Sequence, residues 1–265
     1  MKKNKSAHKI VNLNRFSESE NAQNKTSKKG IYLLPNLLTT GALFAGFYAI
    51  ILGFGGRFEL AVIAIFAAMF FDGLDGRVAR LTNTQSDFGV QYDSLSDMVS
   101  FGIAPAVVVF SWGLSQFGKL GFAASFVYAS CAALRLARYN VQSATLDKNF
   151  FNGLPSPVAA ALMAGFVWST HELQSSAILS TIGTLLTAIA GLLMVSNFKY
   201  PSFKEVDLRG KVPFVVMLLA VVSYAVIIIH PPIILFSLAF IFSFSAPVIG
   251  FYKSMQAYFS ENNSL

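Results

Sequence analysis

The chain is built from apolar segments whose lengths match the thickness of a lipid bilayer. Of its 265 residues, 54% are hydrophobic and only 12% are charged, whereas an ordinary soluble domain carries about 25% charged residues. A helix needs about 20 mostly apolar residues to cross the hydrocarbon core. The sequence therefore predicts an all-α, polytopic transmembrane helix bundle with about eight spans, at residues 31–54, 58–80, 93–114, 120–141, 155–171, 176–197, 212–230 and 232–254.

The basic residues indicate how these spans are oriented. If residues 1–30 lie in the cytosol, all but Arg57 and Lys119 of the 20 lysines and arginines fall on cytosolic segments. This is the asymmetry that the positive-inside rule describes. We therefore expect an even number of spans, with both termini on the cytosolic side.

Both ends of the chain lie outside the predicted bundle. Residues 1–30 are polar and basic and contain no long apolar run, which predicts a disordered cytosolic tail and not a secretory signal peptide. Residues 31–257 form the predicted membrane domain, and residues 258–265 form a short cytosolic tail. The net charge is +7. Because much of it lies in the first tail, we expect that tail to contact anionic lipid headgroups and not nucleic acid.

Acidic residues are concentrated where the second predicted span leads into the third. Asp72 and Asp75 are three residues apart at the cytosolic end of one span. Asp93 and Asp97 are four residues apart at the start of the next, so each pair shares one helix face. Residues 81–92 are expected to connect the two spans. Four carboxylates at one depth repel one another unless cations lie between them, so the pattern predicts a two-metal site at the cytosolic membrane surface.

The chemistry expected of such a site is phosphate chemistry. Mg²⁺ and Mn²⁺ prefer carboxylate and phosphate oxygens, and two such ions can clamp a diphosphate. Gly73, Gly76 and Gly89 would let a phosphate approach the backbone, and the guanidinium of Arg80 could pair with it. One carboxylate could act as general base toward an alcohol. Asp87 does not share the predicted faces and is expected to be a solvated acid of the connecting loop.

The segment DGLDGRVAR (72–80), followed by Gly89, Asp93 and Asp97, resembles the signature of the CDP-alcohol phosphatidyltransferases at every fixed position. The resemblance implies a six-helix core, which two further C-terminal helices would follow here. It also implies a homodimer and the transfer of a phosphatidyl group from CDP-diacylglycerol to an alcohol, with release of CMP.

The same resemblance assigns roles to individual residues. It implies that Gly76, Arg80 and Ser86 contact the CDP portion of the substrate. It implies that three aspartates bind metal and that a fourth, Asp97, both contacts metal and acts as general base. The implied ligands of the two Mg²⁺ or Mn²⁺ ions are Asp72, Asp75, Asp93 and Asp97.

Two polar residues at the cytosolic start of the first span are also candidates. Asn36 and Thr39 interrupt an apolar run just after Pro35. They could contact the cytidine or its ribose, and they could equally cap the helix.

More of the chain resembles one branch of the family, the bacterial membrane-embedded phosphatidylserine synthases. This implies L-serine as the acceptor, a place in the bacterial cytoplasmic membrane and an active site facing the cytosol. The last two spans and the N-terminal tail lie outside the resemblance. The segments that carry it are LPNLLTTGALFAG (34–46), SDMVSFGIAPA (96–106), CAALRLARYN (131–140) and NGLPSP (152–157).

A zwitterionic acceptor such as serine needs a cation for its carboxylate. Arg135 and Arg138 share a helix face near the cytosolic end of the fourth span. We hypothesise that one of them binds the serine carboxylate and the other a phosphate. The alternative is that both anchor the helix end at the membrane surface.

Two other functions remain open at this stage. The same chemistry could use another acceptor, such as glycerol 3-phosphate, inositol phosphate or choline. An ion or metal transporter would use intramembrane acids too, but it should carry them near the bilayer midplane on several helices. The clustering of the acids on two helices at one side of the membrane favours the enzyme.

Overall fold

The computed structural model describes residues 33–142, 150–173, 176–201, 217–218, 221–222 and 227–262. This part of the chain is almost entirely helical. Its α-helices are α1 (Leu33–Phe54), α2 (Phe58–Leu81), α3 (Asp87–Asp97), α4 (Ala104–Trp112), α5 (Lys119–Gln142), α6 (Ser156–Thr170), α7 (Ala177–Val195) and α8 (Pro231–Asn262). Two short strands, β1 (Phe150–Asn152) and β2 (Lys199–Pro201), pair with each other.

Five helical segments in these described ranges are long and apolar enough to cross a membrane, which confirms the multi-pass helix bundle. They are Leu33–Phe54, Asp87–Trp112, Lys119–Gln142, Ala177–Val195 and Pro231–Tyr252. Helices α2 and α6 occupy the second and fifth predicted spans, but α2 carries a charged second half and α6 has only 15 residues. The predicted span 212–230 and the predicted tail 1–30 lie wholly or mostly outside the described residues, so the number of eight spans stays a prediction.

The connection between α2 and α3 is shorter than the predicted loop 81–92. Only residues 82–86 join the two helices. Ser86 starts α3 by accepting a hydrogen bond from the backbone N–H of Gly89 at 3.0 Å, which is the usual role of a serine at a helix N-terminus. Asp87 therefore lies in the first turn of α3 and not in a loop, although it is exposed as expected.

Helix α1 is held closely between α2 and the third span. Small side chains let membrane helices approach each other, and the buried faces of α1 and α2 are rich in them. At Gly46, an added Cβ would lie 2.4 Å from the hydroxyl of Ser100, so α1 touches the third span at this glycine. The small buried residues of the two helices are Ala42, Ala45, Gly46, Ala49, Gly53, Ala61, Ala64 and Ala68.

The third span is not one regular helix. A π-helical turn, Met98–Ile103, separates α3 from α4. Pro105 follows it in the first turn of α4. The carbonyl of Phe101, inside the π-helical turn, accepts a hydrogen bond from the buried hydroxyl of Tyr128 at 3.1 Å. A side chain of α5 thus fixes the irregular part of the third span.

The two-stranded sheet was not anticipated from the sequence. It joins the segment before α6 to the segment after α7, with Phe151 opposite Tyr200. Gly153 follows β1 with a φ of +80°, and a Cβ there would lie 2.2 Å from the carbonyl oxygen of Met194. The glycine of the NGLPSP segment is therefore required by the backbone conformation and by its contact with the end of α7.

Candidate active site

Three carboxylates converge where the second half of α2 faces α3. Oxygen atoms of Asp72, Asp75 and Asp93 lie within 4.8 Å of one another. The carboxyl group of Asp97 lies one helical turn beyond Asp93, next to that of Asp72. Helix α2 continues past the aspartates to Leu81, and α3 begins before them at Asp87. The cluster therefore lies between the bodies of the two helices and not at their ends.

This cluster fits a divalent cation. Four carboxylates offer hard oxygen ligands, which is the donor set that Mg²⁺ and Mn²⁺ prefer. The Oδ1 atom of Asp93 is buried and has no hydrogen-bond partner among the described residues. A buried polar atom without a partner is costly, and a cation bound between the carboxylates would supply one.

A threonine of α1 connects the two helices that carry the aspartates. The hydroxyl of Thr39 donates a hydrogen bond to Oδ2 of Asp75 at 2.6 Å. Its backbone carbonyl accepts a hydrogen bond from the hydroxyl of Ser96 on α3 at 3.1 Å. Thr39 therefore holds one carboxylate and at the same time fixes the position of α1 relative to α3.

A cavity of about 400 Å³ opens next to the carboxylates. It brings together all five residues predicted to contact CDP-diacylglycerol, together with three of the aspartates. Thr84 and Gln85 also contribute to its wall; as loop residues without a motif, they carried no signal that sequence reasoning could use. The predicted residues that line the cavity are Asn36, Thr39, Gly76, Arg80, Ser86, Asp72, Asp75 and Asp93.

The polar residues of this cavity have different local roles. Asn36 and Thr39 lie inside α1, so the structure does not support the alternative that they cap it. The hydroxyl of Ser86 accepts a hydrogen bond at the start of α3. Arg80 donates from Nε to the carbonyl of Gly76 at 3.0 Å, and its side chain is exposed at the mouth of the cavity.

The three glycines of the signature differ in what surrounds them. A Cβ on Gly73 or on Gly76 would meet no atom within 4 Å, so helix packing requires neither glycine. Gly76 lines the cavity, whereas Gly73 does not. At Gly89 a Cβ would lie 3.2 Å from the hydroxyl of Ser86, so this glycine also serves the helix start.

The two arginines of α5 point to different partners. Arg135 donates from Nη1 to the hydroxyl of Ser156 at 2.9 Å and interacts electrostatically with Asp97. Its Nε is buried without a hydrogen-bond partner in the described ranges. Arg138 instead donates to the carbonyl of Val195 and to the side chain of Asn197 at the end of α7.

Comparison with known proteins identifies close relatives. A model of the family CDP-alcohol phosphatidyltransferase matches residues 32–196. The chain is 39% identical over 191 residues to the CDP-diacylglycerol–serine O-phosphatidyltransferase of Helicobacter pylori, covering 71% of this chain and 80% of that protein. Proteins of the same name from Methanocaldococcus jannaschii and Bacillus subtilis are 37% and 34% identical, covering 67% and 65% of this chain and 78% and 92% of theirs.

We predict that Thr39→Val weakens the binding of a divalent cation by roughly 10- to 100-fold, the range typical of residues that orient metal ligands. Valine keeps the shape of the side chain but removes the hydroxyl that donates to Oδ2 of Asp75. Binding of Mn²⁺ to the purified protein, measured by electron paramagnetic resonance, checks this without substrate. Thr39→Ser should restore binding. Thr40→Val is the matched control, because the Thr40 hydroxyl contacts Tyr92 and no carboxylate; equal binding by both valine variants would contradict the prediction.

Proposed function

This chain belongs to the CDP-alcohol phosphatidyltransferase family and is therefore an enzyme, and from that premise we propose that it transfers the phosphatidyl group of CDP-diacylglycerol to L-serine, releasing CMP. The observation that carries the proposal is the cavity in which three aspartates meet Gly76 and Arg80. Serine as the acceptor is supported by relatives that carry the name CDP-diacylglycerol–serine O-phosphatidyltransferase at 34–39% identity.

The diphosphate of the substrate would lie between the carboxylates and the mouth of the cavity. Asp72, Asp75, Asp93 and Asp97 would hold two divalent cations, Mg²⁺ or Mn²⁺. Such ions neutralise the diphosphate and stabilise the attacking and the leaving oxygen of the displacement. The Arg80 guanidinium would pair with the phosphate of the departing CMP. The side-chain amide of Asn36 faces the same cavity and offers both a donor and an acceptor to the cytosine base or ribose.

Asp97 is the best placed of the four carboxylates to act as general base. It is one turn beyond the group of three carboxylates and is the one that interacts with Arg135. In the proposed reaction Asp97 accepts the proton of the serine hydroxyl. The hydroxyl oxygen forms a bond to the phosphorus that carries diacylglycerol. The bond from that phosphorus to the CMP oxygen breaks, and CMP leaves with the electron pair.

The contacts of the two arginines favour Arg135 as the residue that binds the serine carboxylate. Arg138 is already bonded to the end of α7, whereas Arg135 faces Asp97 and has a buried Nε without a partner among the described residues. The cavity that both arginines line has a volume of only about 20 Å³, which is enough for about one water molecule. We therefore expect serine to approach Arg135 from the side of Asp97.

The same contacts weigh against a phosphorylated acceptor. Glycerol 3-phosphate or inositol phosphate carries a dianionic group and would need several available cations near Asp97. Since Arg138 is engaged at the end of α7, Arg135 is the one cation of this pair that faces the acid cluster. A single guanidinium matches the carboxylate of a zwitterionic amino acid better.

Location and assembly complete the proposal. The positive-inside rule supports a multi-pass protein of the bacterial cytoplasmic membrane whose active site faces the cytosol. Arg77 and Arg80 at the end of α2 and Arg135 and Arg138 at the end of α5 lie on the segments that the rule assigns to that side. The homodimer implied by the family resemblance stays a prediction.

The proposal is tested by CMP release from CDP-diacylglycerol in detergent with Mn²⁺ or Mg²⁺. We expect release that depends on L-serine and stops when the metal is chelated. Release that depends on glycerol 3-phosphate or inositol phosphate instead would keep the reaction class and refute the acceptor. The absence of release with every acceptor would refute the proposed activity.

We predict that Asp97→Asn lowers serine-dependent CMP release by roughly 10²- to 10⁴-fold, the usual contribution of a general base. The amide keeps the size of the side chain but cannot accept the proton. Asp87→Asn is the matched control, because Asp87 lies exposed in the first turn of the same helix and outside the cavity. Similar turnover in the two variants would rule out Asp97 as the base.

Replacing each arginine of α5 by alanine should have a different effect. We predict that Arg135→Ala raises the KM for L-serine by at least tenfold with little change in the KM for CDP-diacylglycerol, because a charged hydrogen bond contributes about 1.5–3 kcal/mol. Arg138→Ala should mainly lower the unfolding temperature, since it releases the end of α7. Steady-state kinetics and thermal unfolding in detergent separate the two. If Arg138→Ala alone changes the serine KM, the two roles are exchanged.

The open space around Gly76 gives a further prediction. Gly76→Ala should leave the protein folded and even stabilise α2 by up to about 1 kcal/mol, while it raises the KM for CDP-diacylglycerol because the methyl group enters the cavity. Gly73→Ala makes the same change one turn earlier, outside the cavity. It should keep the wild-type KM. Equal kinetics in the two variants would show that substrate does not approach Gly76.

A further inference from the structure

Helix α8 contains a backbone carbonyl that the helix itself cannot satisfy. Pro247 lies inside α8, and it has no N–H to donate to the carbonyl of Ser243. The hydroxyl of Tyr200 donates to that carbonyl at 2.7 Å. Tyr200 and Ser243 are both fully buried, so water has no access to the carbonyl and the tyrosine is its replacement donor.

Tyr200 belongs to β2, so this hydrogen bond connects α8 to the two-stranded sheet. In β1 the partner of Tyr200 is Phe151. Phe151 and the next residue, Asn152, form one wall of the small cavity whose other wall contains Arg135 and Arg138. The sheet thus stands directly beside the arginines of α5.

From β1 the chain continues to the partner of Arg135. The N–H of Gly153 donates to the carbonyl of Phe198 just before β2, at 2.9 Å. Three residues later, Ser156 begins α6 and its hydroxyl accepts the hydrogen bond from Arg135. A short path of hydrogen bonds and strand pairing therefore leads from α8 to the residue proposed to bind the serine carboxylate.

We propose that α8, which lies beyond the family-matched residues 32–196, is a positioning element for the acceptor side of the active site. The hydrogen bond from Tyr200 to Ser243 holds β2 on α8, and β2 in turn holds the segment 150–156 that presents Ser156 to Arg135. This inference rests on the proposed function. It adds that acceptor affinity depends on a buried hydrogen bond outside the catalytic domain of the family.

Packing of the aromatic ring is a competing explanation of the same contact. The ring of Tyr200 stacks on that of Phe242, with centroids 5.6 Å apart. Tyr200→Phe keeps this stacking and removes only the hydroxyl, so it separates the two contributions. Pro247→Ala supplies the missing N–H to Ser243, so the carbonyl no longer depends on the tyrosine.

The test compares wild type, Tyr200→Phe, Pro247→Ala and the double variant in steady-state CMP release. We expect Tyr200→Phe to raise the KM for L-serine several-fold, up to roughly tenfold, because a buried carbonyl without a donor draws water into the contact. The kcat and the KM for CDP-diacylglycerol should change little. In the Pro247→Ala background the same substitution should have a much smaller effect, a non-additivity that marks two residues acting on one group.

Two further variants keep the test informative if Tyr200→Phe does not fold. Phe242→Leu weakens the same contact from the side of α8 and should also raise the serine KM. Phe236→Leu is its control, because Phe236 lies on the same helix but packs against Phe166 and Gly165 of α6. It should leave the serine KM unchanged.

The outcomes separate this inference from the proposed function. Serine-dependent turnover in the wild type, with an unchanged serine KM in both Tyr200→Phe and Phe242→Leu, overturns the inference alone. Equal effects of Tyr200→Phe with and without Pro247→Ala overturn it too, because the carbonyl of Ser243 is then not involved. The absence of serine-dependent turnover in the wild type overturns the proposed function and the inference with it.

Discussion

The mutual repulsion of the carboxylates between α2 and α3 is the constraint on which the rest of the structure depends. Like charges brought this close at a membrane surface cost free energy that the solvent cannot fully offset. The fold places hydrogen-bond donors and the guanidinium of Arg135 beside them. Thr39 donates to Asp75 from one side, and Arg135 faces Asp97 from the other. The buried Oδ1 of Asp93 still lacks a partner in the described part of the chain. A bound metal ion would supply this partner and offset the repulsion between the carboxylates.

Helix α1 is the element that keeps the two acidic helices at a fixed distance. It packs on α2 through small residues and on the third span through Gly46. It accepts hydrogen bonds from Ser96 at the carbonyl of Thr39 and from Ser100 at the carbonyl of Ala42. These backbone contacts have fixed geometry, whereas long side chains would leave freedom for the helices to slide. Precise spacing between the carboxylates therefore originates in α1, which carries none of them.

The sequence was most informative where one residue type and its spacing decide the structure. The intervals from Asp72 to Asp75 and from Asp93 to Asp97 predicted two acidic helix faces, and the three carboxylates that the structure groups are among these four. The apolar runs predicted the helices, with boundaries close to those of α1, α5 and α7. In both cases the local periodicity of the sequence was sufficient to predict the structure, because helical geometry relates residues only three or four positions apart.

Features that depend on contacts distant in sequence were not predictable in the same way. The start of α3 at Asp87 was missed although Ser86 is a good N-terminal residue, because Asp87 does not share the acidic faces from which the two helices were predicted. The pairing of β1 with β2 joins residues about 50 positions apart, and the sequence of neither short strand indicates its partner. The different contacts of Arg135 and Arg138 also depend on where α6 begins and where α7 ends.

Two buried tyrosines of this bundle bond backbone carbonyls close to prolines. Pro247 removes the donor for the carbonyl of Ser243, and the hydroxyl of Tyr200 bonds that carbonyl. The hydroxyl of Tyr128 bonds the carbonyl of Phe101 in the π-helical turn before Pro105. A buried hydroxyl and an unpaired carbonyl would each be costly alone, but together they satisfy each other. One pair, Tyr128 with Phe101, joins α5 to the third span just beyond Asp97. The other, Tyr200 with Ser243, joins α8 to the sheet beside Arg135. The irregular backbone near the two prolines is thus fixed close to Asp97 and Arg135, where a shift of the helices would displace the proposed base or the proposed acceptor-binding residue.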